Sequence, residues 1–270
     1  MSDVPPALFE RIEAPIFNDV IKKWVGRGEL DYEVYLRTPT LLSLQFNASE
    51  RVAEDELLFQ IVHQSQELWL KLIAHELARS SLSLDAGDLL TVSRLLQRSA
   101  RIAQCLVDEM AVIETLSPEK YQLIRNHLGD GSGQESPGYN AIRVATDAVN
   151  TSLEAVLAAR GVTVVGVYRD DAQNDLRQVF EQCLDVDEAL QLWLVRHFML
   201  VRRTIGVDTK VRALDGIPTR ILAGRMTKPF FPDLWDARVE LTTSWSREGG
   251  TKPAERWAKR DAGDATENEP

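Results

Sequence analysis

His197 stands in an apolar helical stripe. Its neighbours one and two helical turns away are Leu190, Trp193, Leu194, Leu200 and Val201. A neutral imidazole in a dry wall is what a haem pocket needs, because the unprotonated ring nitrogen keeps its lone pair for the iron. A core histidine satisfied by hydrogen bonds gives the same pattern, and on pattern alone that is the commoner case. His63 follows Phe59 by four residues, so both lie on one helix face. A second imidazole at a buried site could orient a substrate N–H or move a proton. Tyr121 and Arg125 share that spacing, and a fixed guanidinium beside a phenol can clamp a carboxylate through two parallel hydrogen bonds. Taken singly, each pair also reads as ordinary helix surface. His75 and His127 are expected near helix ends, in solvated roles.

Other chemistries find little support. The chain has no HExxH, no Cys/His cluster at zinc spacing, no Walker loop and no GxGxxG. Cys105 and Cys183 form no CxxC pair, which favours reduced thiols and a cytoplasmic setting over a disulfide framework. A net charge of -10 argues against nucleic acid as a partner, which needs a basic face. No apolar run approaches the roughly 20 residues of a membrane span. The start, Met1 to Pro6, lacks the basic-then-apolar pattern of a secretory leader.

The elements that must position these residues are helical. With 270 residues, 44% hydrophobic and 27% charged, the chain can bury a sizeable core. Helices are expected over 8–25, over 30–45 with a kink or restart at Pro39, over 54–81 and over 88–115. Ser117-Pro118-Glu119 reads as a helix start leading to Leu128. Further helices are expected over 137–160 and, as one or a pair, over 174–205. Val162 to Val167 is the only β-like run and is too isolated to found a sheet. Residues 206–234 read as irregular with a short helix near 218–223, and 246–270 as a disordered tail. The sum is an all-α helical bundle, one domain over 1–245, with cofactor room between helices.

Several blocks, in order, resemble the tryptophan 2,3-dioxygenase superfamily. Residues 55–77, from Asp55-Glu56-Leu57-Leu58-Phe59-Gln60-Ile61-Val62-His63 through Gln66-Glu67-Leu68-Trp69 to His75-Glu76-Leu77, are similar to its signature helix. Tyr32-Glu33-Val34-Tyr35-Leu36 resembles its N-terminal block, Glu114 to Pro118 with Tyr121 and Arg125 its substrate block, and Ser132-Gly133 its haem-edge loop. Trp193, His197, Val201 and Arg203 resemble its proximal helix, and Phe230 to Trp235 with Arg238 its C-terminal end. The resemblance implies a fold enclosing haem b, with His197 as the axial iron ligand. Trp193, Val201, Ser132 and Gly133 would line the cofactor, and His63 would be the distal histidine near the indole N–H. Phe59 would wall the indole pocket and Arg125, with Tyr121, would bind the amino-acid carboxylate. It also implies a homotetramer, a dimer of dimers, in which residues 1–45, with Tyr32, Tyr35 and Leu36, reach a neighbouring subunit's pocket.

The departures fall on the substrate side. Where the family carries a Gly-Thr-Gly-Gly-Ser-Ser-Gly loop, this chain reads Lys210-Val211-Arg212-Ala213-Leu214-Asp215-Gly216, with Val211 about where the Thr belongs. Arg212 or Asp215 is a conceivable substitute. The family's Ser-Gly-Phe becomes Ser132-Gly133-Gln134, its Tyr-Arg becomes Tyr139-Asn140, and one of its tryptophans is Met110. The expectation is therefore a haem-dependent oxygenase acting, with dioxygen, on the indole of tryptophan or a substituted tryptophan such as β-methyltryptophan. Insertion of one oxygen to a 2-oxindole in a natural-product pathway, with an external reductant, is the favoured outcome. Ring opening to N-formylkynurenine and a non-catalytic haem sensor are the alternatives.

Overall fold

The computed structural model of the chain describes residues 30–129, 131, 133–214, 216–219, 224 and 228–244. The expected helix over 8–25, the tail 246–270, Ser132, Asp215 and most of the expected helix 218–223 lie outside them. The described residues are overwhelmingly helical, and their single β feature is an antiparallel bridge between Arg212 and Pro218.

The helices are α1 (Asp31–Leu36), α2 (Thr38–Leu41), α3 (Glu56–Asp85), α4 (Leu89–Ile113), α5 (Pro118–Arg125), α6 (Pro137–Arg160), α7 (Val164–Arg169), α8 (Asn174–Thr204) and α9 (Pro232–Thr243). The predicted break at Pro39 separates α1 from α2. Arg37 turns left-handed at φ 55°, and Pro39 sits in the first turn of α2, where its missing N–H costs nothing. Neither short helix buries a residue.

Local capping sets the other boundaries. Ser117 Oγ accepts from Lys120 N, Ser136 Oγ from Tyr139 N and Asp88 from Thr91 N, each satisfying an amide that the helix start would orphan. Gly161, at φ 65°, closes α6 in the left-handed region that glycine enters without strain. The β-like run after it is a correction: Val164–Arg169 is helical. Thr163 caps it by accepting from Gly166 N at 3.0 Å, so a local capping bond overrides the β-branched composition. His75 is likewise not near an end but in the interior of α3, on its exposed side.

In the bundle, α3 packs on both α6 and α4, and α4 packs on α8. Leu70, Ile73 and Leu77 of α3, Leu96, Leu106 and Met110 of α4, and Phe180 and Leu190 of α8 are fully buried together. Each such side chain contributes about 1.5–3 kcal/mol of apolar burial. Gly138 marks the tightest approach. A Cβ there would lie 2.7 Å from both Leu70 Cβ and a Glu67 oxygen, so the start of α6 meets α3 almost backbone to side chain.

The C-terminal helix is bolted to α8 by a buried carboxylate. Asp187 Oδ2 accepts from Phe230 N at 3.0 Å, Phe231 N at 2.9 Å and Trp235 Nε1 at 2.9 Å, while Oδ1 accepts from Gln191 at 2.6 Å. Four donors around one carboxylate are what make a fully buried charge tolerable. No helix among the described residues is long and apolar enough to cross a membrane.

Candidate active site

One large cavity, about 840 Å³, opens among α3, α5, α6, α8 and the loop after α8. It is at the upper end of the range for small-molecule and cofactor sites. Phe59 and His63 enter it from α3, Tyr121 and Arg125 from α5, Gly133 from the loop before α6, and Trp193, His197 and Val201 from α8. The structure thus gathers into one wall residues that stand more than a hundred positions apart. Ser132 lies outside the described residues. Tyr32, Tyr35 and Leu36 take no part in this chain's own cavity and are exposed on α1.

His197 lies in the last third of α8, two turns before its end. Burial, with a contribution from charge on nearby His63, lowers its pKa to about 4. The ring is therefore neutral at physiological pH and keeps a lone pair, and it hydrogen-bonds to none of the described residues. His63 is enclosed by protein yet open to the cavity. Burial lowers its pKa, against the opposing effects of the Phe59 carbonyl and the Glu67 carboxylate. Its Nδ1 lies 2.7 Å from the Phe59 carbonyl oxygen, which can only accept. The proton of the neutral ring is thus on Nδ1, and Nε2 is left as an acceptor.

Aromatic packing shapes the floor beside it. Phe59 lies between two rings, His63 at 4.1 Å and Tyr121 at 6.1 Å between centroids. Burial raises the Tyr121 pKa, so its hydroxyl stays protonated as a donor. Four residues on, Arg125 donates from Nη2 to the Arg212 carbonyl oxygen at 2.8 Å, and its buried Nε has no hydrogen-bond partner. An unpartnered guanidinium N–H at the edge of a cavity is a site for an anion.

The two histidine-bearing helices are joined through their cavity faces. Trp193 Nε1 donates to Gln66 Oε1 at 3.3 Å, and Gln66 Nε2 donates to the Met110 sulfur at 3.4 Å. Gln66 is three residues after His63 and Trp193 four before His197, so this contact sets the spacing of the two imidazoles. Glu67 is occupied structurally: Ser136 Oγ donates to one oxygen and Gly138 N to the other, at 2.9 Å.

The loop after α8 contributes its later residues to the cavity. Val211 is not in the cavity wall; Ala213 and Leu214 are. The Arg212–Pro218 bridge and the Ala213 N to Ile217 O bond turn the loop so that its apolar residues face inward. The hydroxyl of Thr219 is buried and spent within the loop on Asp208 and Val211. The Arg212 side chain donates to the Gly216 carbonyl, so only its backbone oxygen bears on the site, through Arg125. Tyr139, Arg143 and Lys228 also line the cavity and carried no recognisable spacing in the sequence.

The donor set fits haem. Among the described residues no cluster of three His, Cys, Asp or Glu could hold a bare metal ion, whereas a porphyrin supplies four nitrogens and asks the protein for one axial ligand. A side chain at Gly133 would place its Cβ 3.8 Å from His197 Nε2, so the glycine keeps clear the space beside this imidazole.

Comparison with known proteins agrees. The family model described as tryptophan 2,3-dioxygenase matches residues 19–146. A tryptophan 2,3-dioxygenase of Myxococcus xanthus is 30% identical over 266 residues, covering 80% of this chain and 91% of the relative. That of Saccharopolyspora erythraea is 30% identical over 278 residues, covering 84% and 98%. That of Xanthomonas oryzae pv. oryzae is 30% identical over 269 residues, covering 79% and 89%. Identity at this level across nearly the whole of each relative, on an all-helical frame with its two cavity histidines, means that the chain belongs to the tryptophan 2,3-dioxygenase family, whose members are haem-iron oxygenases.

Proposed function

We propose that this protein is a haem-dependent oxygenase acting on the indole ring of tryptophan or a substituted tryptophan. The observation that carries the reading is the pairing, in one cavity, of a neutral unpartnered imidazole at His197 with an acceptor-poised imidazole at His63. Haem held by His197 supplies the binding and activation of dioxygen.

The chain's own residues do the rest. Arg125 grips the amino-acid carboxylate with its unpartnered Nε–H, and the Tyr121 hydroxyl adds a second donor beside it. The indole lies against Phe59, whose flat face suits a planar aromatic substrate. His63 Nε2 accepts the indole N–H because Nδ1 is committed to Phe59, and this fixes which edge of the ring faces the haem. Leu200, Val201, Leu194 and Ile113 keep the chamber apolar.

Two product outcomes are open to this arrangement. The relatives' names support insertion of both oxygen atoms, cleaving the indole C2–C3 bond to N-formylkynurenine. Ala213 and Leu214, in place of the family's hydroxyl-bearing loop, support an altered substrate pose and hence the single-atom insertion to a 2-oxindole, which consumes an external reductant. Incubation of the haem-loaded protein with tryptophan and β-methyltryptophan under ¹⁸O₂, read by mass spectrometry, decides. Two labelled atoms without reductant establish the dioxygenase; one labelled atom with reductant dependence establishes the monooxygenase. Tight haem binding with no product from either substrate rejects the enzyme reading in favour of a haem sensor.

The same reading makes 1–245 a single domain working in a homotetramer. Tyr32 is 69% exposed and Tyr35 86%, which suits a segment that completes a neighbouring subunit's pocket. Cys105 and Cys183 are free thiols, in keeping with a cytoplasmic setting.

A further inference from the structure

Among the described residues the cavity wall carries three arginine or lysine side chains, of which the reading above uses Arg125. The other two, Arg143 and Lys228, are exposed at its margin. Both belong to the surroundings of Tyr139. Arg143 is one helical turn further along α6 and donates to the Tyr139 hydroxyl at 3.4 Å. Lys228 is two residues before Phe230, whose ring meets Tyr139 edge-on at 6.4 Å. Tyr139 in turn lies 6.2 Å from Trp193, four residues before His197. Tyr139 thus touches Trp193, Phe230 and Arg143, and Arg143 and Lys228 line the same cavity as His197.

Among the described residues neither Arg143 nor Lys228 is bonded to a carboxylate, and Glu67 is committed to Ser136 and Gly138. Asn140, where the family has an arginine, donates its side-chain amide to the Ser136 carbonyl. A guanidinium and an ammonium flanking an apolar slot are the arrangement that receives a planar hydrophobic group bearing carboxylates on one edge.

We infer that Arg143 and Lys228 bind the carboxylate side groups of the haem. The inference rests on the reading of His197 as the iron ligand.

The test is a Soret titration of the full-length apoprotein with haem and with haem whose two carboxylates are methyl-esterified. Each of Arg143→Ala and Lys228→Ala weakens haem affinity about three- to tenfold, and the double variant more. The esterified haem binds the wild type more weakly than haem does, and neither substitution weakens it further. Both residues are exposed, so circular dichroism and melting temperature stay at the wild-type values. The inference is overturned if the variants bind haem as the wild type does, if they lose esterified haem equally, or if they weaken only the amino-acid substrate. Wild-type protein that binds no haem, or binds it unchanged after His197→Ala, is instead a failure of the underlying reading.

Discussion

Arg125 Nη2 donates to the Arg212 carbonyl oxygen at 2.8 Å across 87 residues of sequence. One side chain thus holds the loop after α8 and keeps its Nε–H unpartnered, which is why we propose it for an incoming carboxylate. Replacing Arg125 by lysine keeps the charge and loses the fork. We expect substrate affinity to fall about 10- to 100-fold, with the haem spectrum unchanged. Equilibrium binding of the amino acid to the haem-loaded protein measures it, and unchanged affinity would remove Arg125 from the substrate site.

His63 and His197 are separable by what each loses. His197→Ala should abolish the Soret band, with or without added haem. His63→Phe should retain the band but lower turnover roughly 10²- to 10⁴-fold, the usual worth of a positioned acid–base group. Equal loss of haem in both variants would contradict the division of labour.

Gly133 tests the space beside His197, the proposed iron ligand. Its added Cβ would stand 3.6 Å from His197 Cε1 and 3.8 Å from Nε2, ordinary contact distances. Gly133→Val should therefore leave the apoprotein as stable as wild type while sharply weakening haem binding. A stable variant with full haem affinity would show that this glycine does not border the cofactor.

Asp187→Ala removes the acceptor for four donors and should destabilise the fold by about 3–5 kcal/mol, since each donor left buried costs on the order of 1–3 kcal/mol. Urea denaturation reads it, and a change below about 1 kcal/mol would mean that α9 docks without this bolt.

The Arg160–Asp175 pair gives a pH signature. Asp175 accepts from Arg160 Nη1 and Nη2 at 2.9 and 2.8 Å, and this bidentate bond lowers the carboxyl pKa in the folded state. A depressed folded pKa stabilises above the unfolded value and is lost as pH falls through the folded one. Because both partners are partly solvated, the difference between wild type and Asp175→Asn should be only about 0.5–1 kcal/mol at neutral pH, fading below roughly pH 4. A difference that grew on acidification would reverse the sign and refute the assignment.

Much of this architecture could be read from periodicity. The apolar spacing of α3, α4 and α8 is strong because each helix buries one broad face, and Ser117-Pro118 announced α5 through its cap. What escaped was set by distance or by local hydrogen bonding. Asp187 finds three of its four partners 43 to 48 residues away, beyond any pattern in the chain. Val162 to Val167 looked extended by composition, but one threonine hydroxyl at the right offset turned it helical. That Ala213 and Leu214 would line the wall was likewise hidden, because the Arg212–Pro218 bridge and the Ala213–Ile217 bond decide which side of the loop faces inward. The histidines illustrate the limit: position 63 and position 197 were each ambiguous alone, and only the fold makes them neighbours.

The Gln66–Trp193 bond has a thermodynamic corollary. It ties the helix bearing one imidazole to the helix bearing the other at the protein's own core, with Met110 behind it. The gap between the rings is consequently a property of the folded apoprotein rather than something the guest must create. Ordering that would otherwise accompany cofactor capture has already occurred during folding, so more of the intrinsic ligation energy survives as affinity. Shortening Gln66 would let the two helices drift, and the cofactor would then have to draw them together each time it bound.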